Sequence, residues 1–407
     1  FTIFSFTVLM KNAFFYFIMF PFLGFINAIK NYRSSWAKPT IIAFVAFFGL
    51  SMVKSDTVDS ARYIQNLEVM YDSNKDYETI QNSLYTQEGG QVDIYVILVT
   101  FIFSIFTDNG NILFLFFGLV FGYFYANNIW SVLNQSKGKL SWEQYLLIAC
   151  FSLVVGFWTV NGVRMWTAAH VFFYGGFLYL FHNKKKGLLI AATSILFHFS
   201  FVIPVVLLIA YSLVRLNFRF LYIFYIASFF IAELNVDFIR NMLETNLPDF
   251  LLPKVKTYFN EDYIEGYEKI GVAANWYILY YKKILTYFTV IFISILFFKG
   301  NLTSKTRNLL GFSLLFLAIA NILSLLPSGG RFLNVAFLFS LATSFIVVTN
   351  SKESIIGKSA RLFSPLLVLF CIISIRLSFD YFNVTTLTNP IVVFLTNVNQ
   401  PLIDLFK

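Results

Sequence analysis

Residues 143–181 read EQYLLIACFSLVVGFWTVNGVRMWTAAHVFFYGGFLYLF, and this stretch decides the class of fold. It contains two apolar runs, 143–160 and 163–181, and each is close to the roughly 20 residues that a helix needs to cross a bilayer. Arg164 stands two residues after Gly162, at the start of the second run. We therefore predict two membrane helices joined by a turn, with an arginine in the first turn of the second helix.

Similar apolar runs recur along all 407 residues, of which 58% are hydrophobic and only 13% are charged. Because lipid cannot satisfy exposed backbone N–H and C=O groups, such runs form helices. We predict one all-α, polytopic membrane domain over 1–407, with about twelve transmembrane or re-entrant helices. The predicted segments are 12–29, 39–53, 92–107, 111–129, 143–160, 163–181, 188–213, 219–236, 284–299, 308–326, 332–349 and 362–378.

The positive charges indicate the topology. The net charge is +9, and 12 of the 30 Lys and Arg lie in the short connectors KNYRSSWAK, HNKKKG, KGNLTSKTR and SKESIIGKSAR. Such connectors are typical of the cytoplasmic side of a membrane protein, so the charge is not taken as a sign of nucleic-acid binding. The loops 54–91 and 237–283 lack these clusters and are expected to face outward. This topology puts Arg164 and Arg331 together on the outer side.

Two segments do not fit a simple count of crossings. Segment 188–213 has basic residues near both of its ends, so one crossing cannot leave both on the cytoplasmic side. It is either a re-entrant pair of half-helices that meets near His198, or a tilted span with Arg215 and Arg219 outside. The pair of short apolar runs within 92–129 raises the same problem, and one of them is a candidate re-entrant segment.

Two helices are predicted to begin with glycine and arginine, at Gly162-Val163-Arg164 and Gly329-Gly330-Arg331. A helix N-terminus presents free N–H groups and a partial positive charge, and arginine adds a forked pair of donors. Together they predict a binding site for an anion such as a diphosphate, with Arg376 as a third candidate. The alternative is that these arginines reach lipid headgroups or form ordinary ion pairs.

His198 lies in a strongly apolar stretch, where an imidazole needs a polar partner or a role. At the tip of a re-entrant pair it would face the same outer cavity as the arginines, where it could bind a phosphate or move a proton. The alternative is a packed histidine with its hydrogen bonds satisfied.

In the first outer loop, Asp59 and Tyr63 stand four residues apart with Arg62 beside them, on one face of a helix if one forms. Asp59 is a candidate general base towards a sugar hydroxyl. The alternatives are a helix cap or an ion pair between Asp59 and Arg62. Arg62, Tyr63 and Asn161 are taken as supporting residues.

Other chemistries have no motif in this chain. Nucleotide-binding, zinc-protease and serine-hydrolase signatures are absent, and no His/Cys spacing indicates a metal. Cys150 and Cys371 lie in separate apolar runs without paired spacing, so both are expected to be packing residues. We therefore expect neither a cofactor nor a metal.

Four short motifs occur in an order that resembles the EpsG/Wzy-type polysaccharide polymerases. They are Asp59-x-x-x-Tyr63, Arg164-x-x-x-Ala168, the Lys184–Lys186 turn and Phe197-His198-x-Ser200, and a late Asn389-Pro390 is also similar. The resemblance covers most of residues 45–213. Family members often have glycine shortly before the aspartate and glutamine after the arginine, where this chain has Thr57-Val58 and Met165.

The resemblance implies a GT-C-like glycosyltransferase of the bacterial inner membrane. Such an enzyme joins undecaprenyl-diphosphate-linked oligosaccharide repeat units on the outer face, and a chain-length-regulating membrane protein is a possible partner. The diphosphate would meet Arg164, Arg331 and Arg376, with Asp59 and His198 as catalytic candidates. An O-antigen ligase would use the same donor, and a flippase or transporter for lipid-linked oligosaccharides is the non-enzymatic alternative.

Overall fold

The structure is a computed structural model that describes residues 16–54, 59–72, 93–214, 216–231, 236–246, 252, 275–300, 302–326, 328–350, 355–396 and 398–406. Within these ranges the chain is helical and forms no β-strand, which confirms the predicted all-α class. Most of the predicted outer loops 54–91 and 237–283 lies outside the described residues.

Seventeen α-helices are described. They are α1 (Pro21–Lys30), α2 (Ala37–Ser51), α3 (Asp59–Asp72), α4 (Ile94–Ser104), α5 (Gly110–Leu133), α6 (Trp142–Val154), α7 (Val163–Leu180), α8 (Lys186–Phe197), α9 (Val202–Leu213), α10 (Phe218–Ala227), α11 (Val236–Asn246), α12 (Trp276–Lys299), α13 (Ser304–Leu323), α14 (Arg331–Asn350), α15 (Ile355–Leu362), α16 (Ser364–Ser378) and α17 (Pro390–Leu395). Short 3-10 helices occur at Phe157–Gly162, Phe199–Phe201, Ser228–Phe230, Val384–Leu387 and Leu402–Phe406.

Several helices are long and apolar enough to cross a membrane. In the described part of the chain these are the five runs Gly110–Leu133, Trp142–Leu180, Trp276–Lys299, Ser304–Leu323 and Arg331–Asn350. Helices α15 and α16, bent by 47°, make a sixth if they cross as one unit. The long runs are fewer than the twelve predicted segments, because several of those segments form apolar helices of 10–17 residues.

The run Trp142–Leu180 folds back on itself. The rings of Phe151 and Phe173 are 5.1 Å apart, and His170 Nε2 lies 3.2 Å from the carbonyl oxygen of Val155. In one straight helix, residues 151 and 173 would be about 33 Å apart at 1.5 Å per residue. Helices α6 and α7 are therefore antiparallel, as the two apolar runs in the sequence predict.

The basic connectors gather at one end of the helical bundle, which we call the basic end. Asn308 at the start of α13 donates to the Leu180 carbonyl at the end of α7, and Gln144 at the start of α6 donates to Thr349 at the end of α14. The basic residues of this end include Lys30, Arg33, Lys38, Lys137, Lys139, Lys184, Lys185, Lys186, Lys299, Lys305, Arg307, Lys358 and Arg361. We call the opposite end, where α7 and α14 begin, the site end.

Glycine allows α7 and α8 to pack at backbone distance. A Cβ at Gly175 would overlap the backbone of Gly187 and Ala191, and a Cβ at Gly187 would overlap the backbone of Gly175 and Tyr179. Small residues at a helix crossing permit this close approach, and in membranes it is a main source of helix association. The contact fixes the height of α8 along α7.

Helices α8 and α9 form the re-entrant pair that the charge pattern allowed. At the site end, the backbone N–H of Phe199 donates to Asp93 Oδ1 at 2.7 Å. At the basic end, the Tyr211 hydroxyl donates to the Asn308 carbonyl at 3.0 Å. The chain thus enters and leaves by the basic end and turns at His198, which does not agree with the tilted-span alternative. Arg215, one of the residues of that alternative, lies outside the described residues.

The position of α4 explains how the two short apolar runs within 92–129 fit the topology. Asp93, just before it, contacts Arg164, and Gly110, just after it, abuts Ile64 of α3. The chain therefore enters α4 and begins α5 at the site end, beside α3. The segment returns to the end from which it came, and α5 then carries the chain to the basic end.

Cys150 and Cys371 are both packed inside the bundle, as expected. Their Sγ atoms are 3.7 Å apart, between α6 and α16. Their proximity was not predicted, because nothing in the spacing of the two residues indicates that α6 and α16 are neighbours.

Candidate functional site

Arg164 is the centre of a polar cluster at the site end. It lies in the first turn of α7, directly after the 3-10 helix Phe157–Gly162, and its side chain is only 18% exposed. Its Nη1 donates to Asp93 Oδ2 at 2.8 Å, and its Nη2 is 3.5 Å from Asp59 Oδ2. Its guanidinium carbon lies 5.8 Å from the centre of the Tyr63 ring. The cluster holds a buried arginine at the N-terminus of a helix.

Asp93 is a member of the site that the sequence prediction missed. Its carboxylate accepts from Arg164 with one oxygen and from the backbone N–H of Phe199 with the other. It thereby joins the first turn of α7 to the tip of the re-entrant pair. The signal in the sequence is a lone carboxylate at the start of an apolar run, the second residue of the predicted segment 92–107.

His198 forms the tip of the re-entrant pair. Its Nδ1 accepts from the backbone N–H of Ser200 at 3.2 Å and lies 2.8 Å from the Ser200 hydroxyl. An imidazole nitrogen that accepts from an N–H group carries no proton, so the proton of the neutral ring is on Nε2. Nε2–H has no acceptor among the described residues. His198 is therefore suited to donate a hydrogen bond to a bound group.

Arg331 reaches the same region from another helix. It is the first residue of α14, and the next residue, Phe332, packs on Phe201 of the re-entrant tip at 6.1 Å between ring centres. Arg164 and Arg331 both lie close enough to His198 for their charges to act on its ring. The predicted convergence of the two arginines on one region is thus present in the structure.

The turn before Arg331 depends on its backbone shape. Ser328 has a φ of 61°, in the left-handed region that is uncommon for residues other than glycine. A Cβ at Gly329 would overlap the carbonyl oxygen of Leu323 at the end of α13. This tight turn joins α13 to α14 and fixes the position at which Arg331 leaves the backbone.

Lys282 adds a further cation near Arg331. It lies on α12, close enough to Arg331 for the two charges to interact. Neither side chain forms an ion pair or a hydrogen bond with any described residue. Adjacent like charges repel, so this pair is stabilised when an anion binds between or beside them.

Asp59, Arg62 and Tyr63 lie together at the start of α3, as their spacing predicts. Arg62 pairs with Asp59 Oδ1 at 2.8 Å, and the Tyr63 hydroxyl is 3.5 Å from Asp59 Oδ2. Burial raises the pKa of Tyr63, and the nearby charge of Arg164 partly opposes that rise. The phenol therefore stays protonated as a donor. Asp59 Oδ2 has only contacts of 3.5 Å, and the side chain is 45% exposed.

Several buried polar atoms around Arg164 have no hydrogen-bond partner within the described residues. They are Arg164 Nε, Asn161 Oδ1, Ser60 Oγ and Tyr95 Oη. An unpaired buried polar group costs about 1–3 kcal/mol, so such groups are rare in folded proteins. Four of them on elements that meet at one arginine indicate a site that a polar ligand or water completes.

Arg376 is differently placed. At the end of α16 its Nη1 pairs with Asp380 Oδ2 at 2.8 Å, and its guanidinium lies over the Tyr277 ring. This is the ion pair that the sequence offered as the alternative to diphosphate binding. Arg376 forms no hydrogen bond or ion pair with Arg164, His198 or Arg331 in the described parts of the chain.

His170, within α7, has a structural role. His170 is buried, accepts from Asn128 and lies 3.2 Å from the Val155 carbonyl. Among the described residues, no group of three or more His, Cys, Asp or Glu side chains is arranged to hold a metal ion.

The fold and site define an all-helical protein with membrane-type helices and a buried polar cluster at one end. Comparison with models of protein families, with curated proteins and with solved structures found no match. The function is therefore argued from the site.

Proposed function

We propose that this protein is a membrane glycosyltransferase that polymerises undecaprenyl-diphosphate-linked oligosaccharide repeat units at the outer face of the bacterial inner membrane. The observation that carries the proposal is the set of hydrogen-bond donors at the site end. Among the described residues, Arg164 Nε–H and the Arg331 side chain have no hydrogen-bond partner, and His198 presents Nε2–H. Donors and positive charge at a helix N-terminus favour a phosphate group.

The proposed reaction uses the arginines for leaving-group charge. A hydroxyl oxygen of the acceptor sugar bonds to the anomeric carbon of the donor, while the bond from that carbon to the diphosphate oxygen breaks. Negative charge grows on the diphosphate as it leaves, and preorganised cations stabilise that charge in the transition state. Arg164 and Arg331 have this role, with His198 donating to a phosphate oxygen.

Asp59 is the proposed general base. The acceptor hydroxyl loses its proton as it attacks, and a carboxylate within hydrogen-bond reach can take it. The Asp59 side chain is 45% exposed at the site end, and its Oδ2 has contacts of 3.5 Å with Arg164 and Tyr63 in the described part of the chain, so it can accept a proton. Arg62 holds the other oxygen and fixes the direction of the carboxylate.

A glycan polymerase also accounts for the filled centre of the bundle better than a transporter. The rings of Phe172, Phe312, Phe316 and Phe339 pack at 5.1–6.3 Å from one another. A flippase needs a pathway between the leaflets, usually with polar groups in its middle. In this protein the polar cluster lies at one end.

The test is replacement of Arg164 by Ala, with the length distribution of cell-surface glycan measured at matched protein level. We expect loss of long chains, and Arg164→Lys is expected to restore them only in part because lysine lacks the forked donors. Arg240→Ala is the matched control, since the Arg240 side chain pairs with Glu244 on α11 and, among the described residues, with no group of the Arg164 cluster. Undiminished long chains in Arg164→Ala would reject the proposal.

Two further measurements separate the alternatives. Purified protein given lipid-linked repeat units alone should produce a ladder of lengths, whereas a ligase would not. Cysteines placed at positions 164 and 331, in a chain with Cys150 and Cys371 replaced by Ala, should react with a membrane-impermeant reagent from the outer side. Reaction only from the cytoplasmic side would contradict the proposed topology.

A further inference from the structure

A polar cavity separate from the Arg164 cluster lies at the site end, beside the C-terminal end of α2. Its volume is about 210 Å³, and it opens to the surface. Helix α2, the start of α5 and the C-terminal segment after α16 form its walls. The polar residues that line it are Ser51, Lys54, Asn111, Asn383, Thr385, Thr396 and Asn399.

Lys54 is the charged group of this cavity. Its ammonium donates to the Leu50 carbonyl at 3.1 Å and to Asn111 Oδ1, and it lies 5.6 Å from the centre of the Phe114 ring. Two of its three N–H groups are thus used on neutral acceptors. The described residues provide it with no carboxylate partner.

Backbone contacts hold Lys54 in place. Its own N–H donates to Asn399 Oδ1 at 2.9 Å, and its carbonyl accepts from Asn399 Nδ2 at 2.8 Å. The neighbouring Val53 N–H donates to the Tyr381 carbonyl. The lysine is therefore built into a wall between α2 and the C-terminal segment and is not a loose surface side chain.

Burial lowers the pKa of Lys54 to about 7. A buried ammonium without a counter-ion is costly, and the cost falls when an anion binds beside it. The described carboxylates nearest in sequence to the polar lining residues are Asp59 after Lys54, Asp108 before α5, and Asp380 and Asp404 in the C-terminal segment. None of them forms an ion pair with Lys54. Within the described residues the Lys54 charge therefore has no counter-ion and is available to a ligand.

Other polar groups in the wall are also available. Asn111 uses its oxygen for Lys54 and keeps its NH₂ group free, and the Thr385 hydroxyl makes no hydrogen bond in the described part of the chain. Asn383 and Asn399, by contrast, are occupied with backbone groups. The free set is one cationic donor, one amide donor and one hydroxyl, which suits a carboxylate next to an alcohol.

We propose that this cavity, the Lys54 pocket, binds one carboxylate-bearing sugar residue of a glycan substrate. The volume of the Lys54 pocket agrees with a single sugar residue, because it is below the roughly 300–1,000 Å³ of pockets that enclose larger ligands. The pocket lies near the Arg164 cluster, since Asn111 follows Gly110, which abuts Ile64 on the helix that begins with Asp59. The inference rests on the proposed function, and it names the chemical class of the glycan.

The test is direct binding of sodium glucuronate to the purified full-length protein in nanodiscs at pH 6.5, followed as a shift of the thermal unfolding midpoint. Glucose and sodium acetate are measured beside it. We expect glucuronate to raise the midpoint more than either comparison compound. Lys54→Met should weaken glucuronate binding about tenfold, the loss that follows from one charge-assisted hydrogen bond. Lys283→Met, which removes an exposed lysine of α12, should leave the binding unchanged.

Lys54→Met is suited to the test because removing a buried charge that has no counter-ion among the described residues is not expected to unfold the protein. Thr385→Val, which leaves Lys54 intact, is a second variant and should weaken binding several-fold. Equal glucuronate affinity in Lys54→Met and the parent protein would overturn the proposal, as would equal protection by acetate or no binding by the parent.

The outcome is separable from the proposed function. If glucuronate does not bind but Arg164→Ala abolishes glycan ladders, the Lys54 pocket assignment fails alone. If glucuronate binds through Lys54 but the parent makes no ladders from lipid-linked repeat units, the polymerase proposal fails and the acidic-sugar site remains.

Discussion

Replacing Asp93 by Asn tests the contact that joins the re-entrant tip to α7. The asparagine side chain keeps an oxygen that can accept from the Phe199 N–H. Arg164, however, loses its closest negative charge, the Asp93 Oδ2 that lies 2.8 Å from its Nη1 in the parent protein. Both groups are mostly buried, at 18% and 7% exposure of their side chains. A hydrogen bond between charged groups in such a setting contributes about 1.5–3 kcal/mol. If that loss reached the transition state in full, it would slow the reaction about 10- to 150-fold.

The assay has two readouts, the rate of ladder formation from lipid-linked repeat units and the thermal unfolding midpoint. We expect Asp93→Asn to lower both, because its carboxylate holds Arg164 and the hairpin tip. Asp59→Asn is the matched comparison. Asp59 is half exposed and 3.5 Å from Arg164, and exposed pairs contribute at most about 1 kcal/mol. It should lower the rate with little effect on the midpoint. Asp93→Asn with the parent's midpoint and ladders would refute the reasoning.

Three other perturbations have defined outcomes. His198→Gln, whose amide can replace the Nε2–H donor, should keep more ladder formation than His198→Ala; equal activities would show that the donor is not used. Gly187→Val should push α8 from α7 and reduce the folded fraction in size-exclusion chromatography, whereas Gly138→Val, with open space around its Cβ, should not. Because the pKa of Lys54 is about 7 when folded and near 10.5 when unfolded, the unfolded state binds more protons between these values. Stability should therefore rise from pH 7 to 10, and a Lys54→Met variant that showed the same rise would exclude Lys54 as its source.

The sequence predicted the features that depend on charge and local pattern. The basic connectors assigned one side of the bundle, and the two Gly-Arg helix openings both lie at the opposite end in the structure. The basic residues at both ends of 188–213 predicted either a re-entrant pair with its turn near His198 or a tilted span, and the structure shows the first of these. The spacing of Asp59 and Tyr63 likewise predicted a shared helix face.

The contacts between distant segments could not be predicted in this way. Asp93 joins Arg164 across 71 residues, and this pairing exists only because α4 returns to the site end beside α3. Cys150 and Cys371 become neighbours only through the packing of α6 on α16. Lys282 was missed because the predicted span began at residue 284, two residues after it. Each of these depends on which helices are neighbours, and hydropathy does not encode that choice.

Because the glycine contact fixes the start of α8 against α7, the length of α8 sets the position of His198 at the tip of the re-entrant hairpin. From Gly187, which is locked against α7, eleven residues lead to His198, and at 1.5 Å per residue they measure about 16 Å. Adding one residue to α8 would raise the tip by about 1.5 Å and rotate it by about 100°. The imidazole would then point away from the charges of Arg164 and Arg331 that act on it, although every other helix kept its place. The length of one short helix thus sets the alignment of the whole site.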